Sequence, residues 1–161
     1  MPPWKLSRRS KAELKGVHPD LVECVEELRH RSPVDFGVHD GIRTLTEQRE
    51  FVKRGVSRTL KSRHLPGQDG YGHAVDLVPY INGKLRWEWA AIYELADAMR
   101  SVSRDLLIPI RWGGVWDRRL ANLDFDMEFE VEAYSARRKE RGRRVFLDGP
   151  HFELPRIKAY L

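Results

Sequence analysis

The apolar positions of this chain fall into short runs whose period changes several times, and each change marks an element. After His18-Pro19-Asp20, the residues Leu21, Val22, Val25 and Leu28 recur at the spacing of an amphipathic helix. Pro19 suits its first turn, and the helix ends before Pro33. Val34-Asp35-Phe36-Gly37-Val38 alternates apolar and polar, which predicts a short strand. Thr44-Leu45-Thr46-Glu47 has the form of a capping box, opening a helix that Gly55 closes. Residues 73–80, with Ala74, Val75, Leu77 and Val78, predict a buried strand that Asn82-Gly83 turns back toward 84–87. A second long helix is predicted over 89–102, where Ile92, Leu95, Ala96 and Met99 share one face. Residues 108–112 are strand-like up to Gly113-Gly114, and a last short strand covers 151–154. Helices followed by strands that are mostly hairpin-linked predict an α+β fold, a small antiparallel sheet flanked by helices.

One segment reads two ways. Residues 123–131 alternate acidic and apolar, which taken alone predicts a strand. Acid in the first half, Arg137-Arg138-Lys139 in the second and Gly142 beyond match the dipole of a helix instead. The helical preference of Glu, Met, Ala and Arg decides for helix. Its carboxylates lack the Asp/Asn/Gly spacing of a calcium loop and read as solvated charge.

Composition narrows the class. A chain of 161 residues, 41% of them hydrophobic, buries a core of its own and reads as one domain over 1–161. Its apolar runs fall far short of the roughly 20 residues that span a bilayer. The N-terminal MPPWKLSRRSKAEL carries charge without an apolar stretch and does not read as a secretory signal. The single cysteine, Cys24, excludes an internal disulfide and any multi-cysteine metal site. The net charge of +5 favours a polyanionic partner, whether nucleic acid, anionic lipid or a cell-wall polymer.

Three stretches carry chemistry that folding alone does not explain: Ser62-Arg63-His64, Gly72-His73-Ala74-Val75-Asp76, and Asp148-Gly149-Pro150-His151-Phe152-Glu153. Two histidines and an aspartate offer the N, N, O ligand set of a catalytic zinc with one position left for water. Asp76 lies inside an apolar run, where an unpaired carboxylate is costly and calls for a cation or several donors. Asp148, three residues before His151, can reach a metal-activated water without being a ligand.

Ser-x-His, then Gly-x-Ala-x-Asp, then a carboxylate three residues before a His resembles the zinc peptidases of the D-Ala-D-Ala carboxypeptidase and hedgehog group. GVHPDLV, SPVDF, GIRTLTEQ, SRTLKSRHLPG, GHAVDLVPY, RWGGVW and DGPHFEL resemble, more closely, the phage endolysins that are L-alanyl-D-glutamate peptidases. The resemblance implies that His64, Asp76 and His151 hold one zinc per chain and that Asp148 is the general base and acid. It implies that Arg43 holds substrate and stabilises the oxyanion. Ser62, Trp116 and His73 then fall in the substrate and outer-ligand set, with Trp112 and Phe152 in the core. The implied activity is cleavage of the L-Ala–D-Glu bond of peptidoglycan, with a D,D-carboxypeptidase or a non-catalytic basic binding protein as alternatives. The implied partner is peptidoglycan, with no specific nucleic acid and no transmembrane segment. The chain is expected to act as a monomer, held in the host cytoplasm until a holin-like partner or membrane damage releases it to the wall.

The sequence departs from that family pattern in two places. His64 and Asp76 are twelve positions apart rather than seven, with glycines at 67, 70 and 72 in the extra loop. That leaves His73 as a competing imidazole, although positions 73 and 76 of a strand face opposite sides. The second departure is a long segment at about 117–145, read as an insertion.

Overall fold

In the computed structural model, which describes residues 3–55, 57, 59 and 61–161, the chain opens with a helix its apolar pattern does not announce. This α1 (Arg8–Glu13) is capped by Ser7, whose side chain accepts from the Ser10 N–H. Then follow α2 (Pro19–Arg31), β1 (Asp35–Asp40), α3 (Leu45–Lys53), β2 (Ala74–Ile81) and β3 (Lys84–Leu85). The second half holds α4 (Trp89–Leu106), β4 (Arg111–Trp112), β5 (Val115–Arg119), α5 (Met127–Glu140) and β6 (His151–Glu153).

Local signals account for most of these boundaries. Pro19 stands in the first turn of α2, and His18 Nδ1 accepts from the Asp20 N–H at 3.0 Å. At α3 the capping box is complete, with Thr44 accepting from the Glu47 N–H and Glu47 accepting from the Thr44 N–H. Each such cap contributes about 1 kcal/mol. Asn82 and Gly83 both have positive φ, 53° and 74°, as the two central residues of a tight hairpin turn require.

Long-range pairing departs from the expected chain of hairpins. The sheet runs β1-β2-β6-β4-β5, with β3 also on β2, and every pair is antiparallel. Only β2–β3 and β4–β5 are hairpins, because β6, the last strand in the chain, inserts between β2 and β4. One face of the sheet carries Phe36, Val38, Val75, Leu77 and Phe152 into the core shared with Leu21, Leu28, Leu95 and Met99 of α2 and α4. Trp112 and Phe152 are fully buried there with ring centroids 6.5 Å apart, as read from the sequence.

The acidic alternation over 123–131 yields a helix and not a strand. Asp126 caps α5 by accepting from the Phe129 N–H, and Arg137, Arg138 and Lys139 occupy its last turn. Met127, Val131 and Tyr134 are buried, so the helix is held by packing as well as charge. The strand β5 was not expected, since Asp117, Arg118 and Arg119 are exposed and carry no apolar alternation. Among the described residues no helix is long and apolar enough to cross a membrane.

Candidate active site

The face of the sheet opposite the core is where polar side chains gather. In β2, Val75 and Leu77 point into the core, so period-2 alternation sends Asp76 to the other side. In β6 the same alternation buries Phe152 and turns out His151 and Glu153. The register then sets His151 directly opposite Asp76, with Asp40 of β1 on the other flank of Asp76.

His64 arrives from the segment before β2. The Arg63 carbonyl accepts from the His73 N–H at 2.7 Å, and the His64 carbonyl accepts from the Arg43 N–H at 2.8 Å. These bonds close the base of the loop between 64 and 73. Within the loop Gly67 N–H donates to the Tyr71 carbonyl, and Gly70 has a φ of 81°. The extra residues therefore bulge outward and do not separate His64 from Asp76.

His64, Asp76 and His151 each offer one ligand atom, all within 4.8 Å of one another. Asp76 Oδ1 lies 3.4 Å from His64 Nε2 and 3.3 Å from His151 Nδ1. Ligand atoms on a tetrahedral zinc, each about 2.0–2.1 Å from it, stand about 3.3–3.4 Å apart, so these spacings fit the ion. Proton positions agree. His64 Nδ1 donates to the Gly41 carbonyl at 2.7 Å, leaving Nε2 with a free lone pair. His151 Nε2 donates to Glu153 Oε1 at 3.0 Å, leaving Nδ1 free. Asp76 Oδ1 is buried and has no hydrogen-bond partner. With both imidazoles neutral, three lone pairs converge on one point, an arrangement a cation satisfies.

The electrostatics favour positive charge here. Burial opposes ionisation of Asp76, but His64 and His151 outweigh it and hold its carboxyl well below the usual range. Burial likewise opposes a charged His151, yet Asp76 and Glu153 push its imidazole up to about 10. Asp148 shifts the other way: burial, then repulsion from Asp76, raises its carboxyl. Its Oδ2 lies 4.0 Å from His151 Nδ1. The spacing of three residues is a turn, closed by His151 N–H donating to the Asp148 carbonyl at 3.1 Å.

The remaining sequence candidates divide. Arg43 is at the site, with Nη2 3.9 Å from Asp76 Oδ2, and its guanidinium is bound by Asp40 and Gln48 and packed on Phe51. Trp116 packs against His151 with ring centroids 5.2 Å apart. Ser62 Oγ accepts from the His64 N–H at 3.1 Å. His73 does not join them. It sits on the core side of β2, fully buried, with Nε2 donating to Asp69 Oδ2 at 2.8 Å. Its place among the site residues is corrected by strand parity, since 73 falls in phase with Val75 and not with Asp76.

Sequence reasoning gave no role to Glu153, Asp40 or Gln48, the side chains that hold His151 and Arg43 in place. Glu153 is 4% exposed and has Arg63 Nε 3.9 Å from Oε2. Its position two residues after His151, on the same strand face, was the available signal.

The chain is similar to the L-alanyl-D-glutamate peptidase of Escherichia phage T5, 29% identical over 155 residues, covering 94% of this chain and 98% of that one. Its structure is similar to the crystal structure of the Serratia marcescens L-Ala D-Glu endopeptidase ChiX. That likeness has a TM-score of 0.67 at 35% identity, covering 94% of this chain and 90% of that one. The model of the phage L-alanyl-D-glutamate peptidase family matches residues 2–155, and the chain belongs to that family.

Proposed function

We propose that this chain is a zinc endopeptidase of peptidoglycan that hydrolyses the L-Ala–D-Glu amide of the stem peptide. The observation that carries the reading is Asp76 Oδ1, buried without a hydrogen-bond partner between two imidazole nitrogens whose rings donate elsewhere. His64 Nε2, Asp76 Oδ1 and His151 Nδ1 would hold the ion. When bound, zinc supplies Lewis acidity, lowering the pKa of a water and polarising the scissile carbonyl.

The chain's own residues do the rest. Asp148, whose carboxyl is raised by burial and by Asp76, accepts a proton from the attacking water and delivers it to the leaving amine. The amide C–N bond breaks, the water oxygen stays on the alanine carbonyl carbon, and the glutamate nitrogen leaves as an amine. Arg43, fixed by Asp40 and Gln48, keeps positive charge beside the developing oxyanion. Trp116 forms a wall of the cleft against His151, and Ser62 fixes the backbone at His64. We assign the catalytic unit to residues 1–161, acting as a monomer from the host cytoplasm once released to the wall. We read the segment at about 117–145 as an elaboration of the family core.

Digestion of purified peptidoglycan, with and without chelator and followed by mass analysis, tests this. Fragments with a newly freed glutamate amine should form, stop on chelation and return with added zinc. Release of terminal D-alanine alone would make the chain a D,D-carboxypeptidase. No cleavage, with salt-sensitive DNA binding instead, would make it a basic binding protein.

A further inference from the structure

Residues 137–144 contain six cations and a single acid, Glu140. Arg137 is used internally, bound through Nε and Nη2 to Asp117 at 2.9 Å each, and Arg138 Nε donates to the Arg144 carbonyl. Lys139, Arg141, Arg143 and Arg144 are exposed and, among the described residues, enter no ion pair. Of the acids of the same segment, Glu140 alone stands among them, and Glu130 and Glu132 lie about two turns or more back along α5. Asp124, Asp126 and Glu128 stand at the opposite end of α5. With a rise of about 1.5 Å per residue, that is roughly 20 Å away, beyond the screening length of about 8–10 Å.

The positive end of α5 borders the cleft. The Arg137–Asp117 pair ties it to β5 next to Trp116, whose ring packs on His151 and, 6.3 Å away on another side, on Phe146. Trp116 Nε1 donates to the Phe146 carbonyl at 3.0 Å. Arg143 and Arg144 are exposed and stand three and two residues ahead of Phe146, on the stretch that leads to Asp148.

We propose that this patch docks the enzyme on the carboxylates of peptidoglycan, with Arg141, Arg143 and Arg144 as its main contacts. The proposal rests on the substrate reading above. A D-glutamate residue has two carboxyl groups and uses one for the next amide, so the substrate keeps a carboxylate beside the scissile bond. Guanidinium groups match carboxylates in a two-bond fork, and free ones next to a cleft fit a repeating carboxylate polymer. The position beside the cleft favours the wall over nucleic acid, whose binding would call for a surface independent of the catalytic residues.

The test is cosedimentation of zinc-loaded protein with intact sacculi on ice. Arg141→Gln/Arg143→Gln/Arg144→Gln should weaken binding about five- to tenfold, the product of three exposed ion pairs. Carbodiimide amidation of the sacculi should weaken binding of the parent to the same degree. Arg8→Gln/Arg9→Gln/Lys11→Gln on α1 makes the same charge change at another exposed site and should bind as the parent does. Equal binding by parent and patch variant overturns the proposal, as does indifference to amidation. An equal loss in the α1 variant reduces the effect to net charge. Loss of duplex DNA binding with sacculus binding intact assigns the patch to nucleic acid. Bond specificity is read separately from fragment masses, so patch-dependent docking with cleavage of another bond would sink the activity and spare the docking.

Discussion

The two imidazoles of the site present different nitrogens, and the reason lies in what each ring donates to. His64 is anchored through Nδ1 to a backbone carbonyl, whereas His151 is anchored through Nε2 to the Glu153 carboxylate. Only the second anchor carries charge, and Arg63 stands behind it. Glu153→Gln keeps the shape and the acceptor but removes that charge. Zinc affinity should fall about 10- to 100-fold, as is typical for the loss of such a partner. Competition against a chelator of known affinity measures it, and an affinity equal to the parent's would leave Glu153 a purely structural residue. Asp148→Ala should separate the two roles at the site. Turnover is expected to drop at least about 100-fold while zinc stays bound, because a general base lies outside the ligand set. Near-normal turnover in a folded, zinc-loaded variant would remove the role. The difference between His64 and His73 was legible from parity alone, once 73–80 was read as a strand. Glu153 carried the same parity signal as His151 and lay in the same motif, but it was given no role, since its work is done through another side chain.

The turn over 148–151 is a junction of two elements rather than a property of either. Gly113, at the β4–β5 hairpin, donates to the His151 carbonyl and accepts from the Asp148 N–H, both at 2.9 Å. It lies so close that a Cβ there would stand 2.0 Å from the Asp148 carbonyl oxygen. Gly113→Ala must therefore push the 148–151 turn away from the hairpin. The expected cost is about 1–3 kcal/mol of stability, the range for overpacking. Activity should fall further than stability, because a displacement of about 1 Å at a reacting group costs about 100-fold. Thermal melting and turnover measured on one preparation separate the two, and an alanine variant with parental activity would show that the turn is not held from this side. Elements set by neighbouring residues were readable in advance: the Pro19 start of α2, the Thr44–Glu47 cap and the Asn82-Gly83 turn. Elements made by distant pairing were not. β5 has a polar sequence and exists because β4 pairs with it, and nothing local announces that β6 slots between β2 and β4. That slot brings Asp76 and His151 into register, so the candidate metal-holding residues were nameable from the sequence while their meeting place was not.

The chain's last residues lock the whole fold around this site. Arg63, one residue before His64, donates to the carbonyls of Leu154, Pro155 and Tyr160. The Tyr160 hydroxyl in turn donates to Asp20 Oδ2 at the start of α2, one turn from the fully buried Cys24. Both acids are held neutral. Burial first, then the negative charges of Glu23 and Asp20, raises the Cys24 thiol from 9.0 to about 12. Burial first, then the hydrogen bond to Asp20, raises the Tyr160 phenol from 10.0 to about 12. An unfolded chain releases these protons at the ordinary values, so their contribution to stability is complete below about pH 9 and is lost as pH rises toward about 12. At about 1.4 kcal/mol per unit, the two together remove on the order of 4 kcal/mol by pH 11. For a domain of this size that lowers the melting temperature by roughly 10 °C between pH 9 and 11. Cys24→Ala should start from a lower melting temperature but show a shallower alkaline decline, and Tyr160→Phe should do the same by a smaller margin. Melting curves across that window decide it: a decline as steep in both variants as in the parent would place the alkaline sensitivity in other groups and release the C-terminal lock from this role.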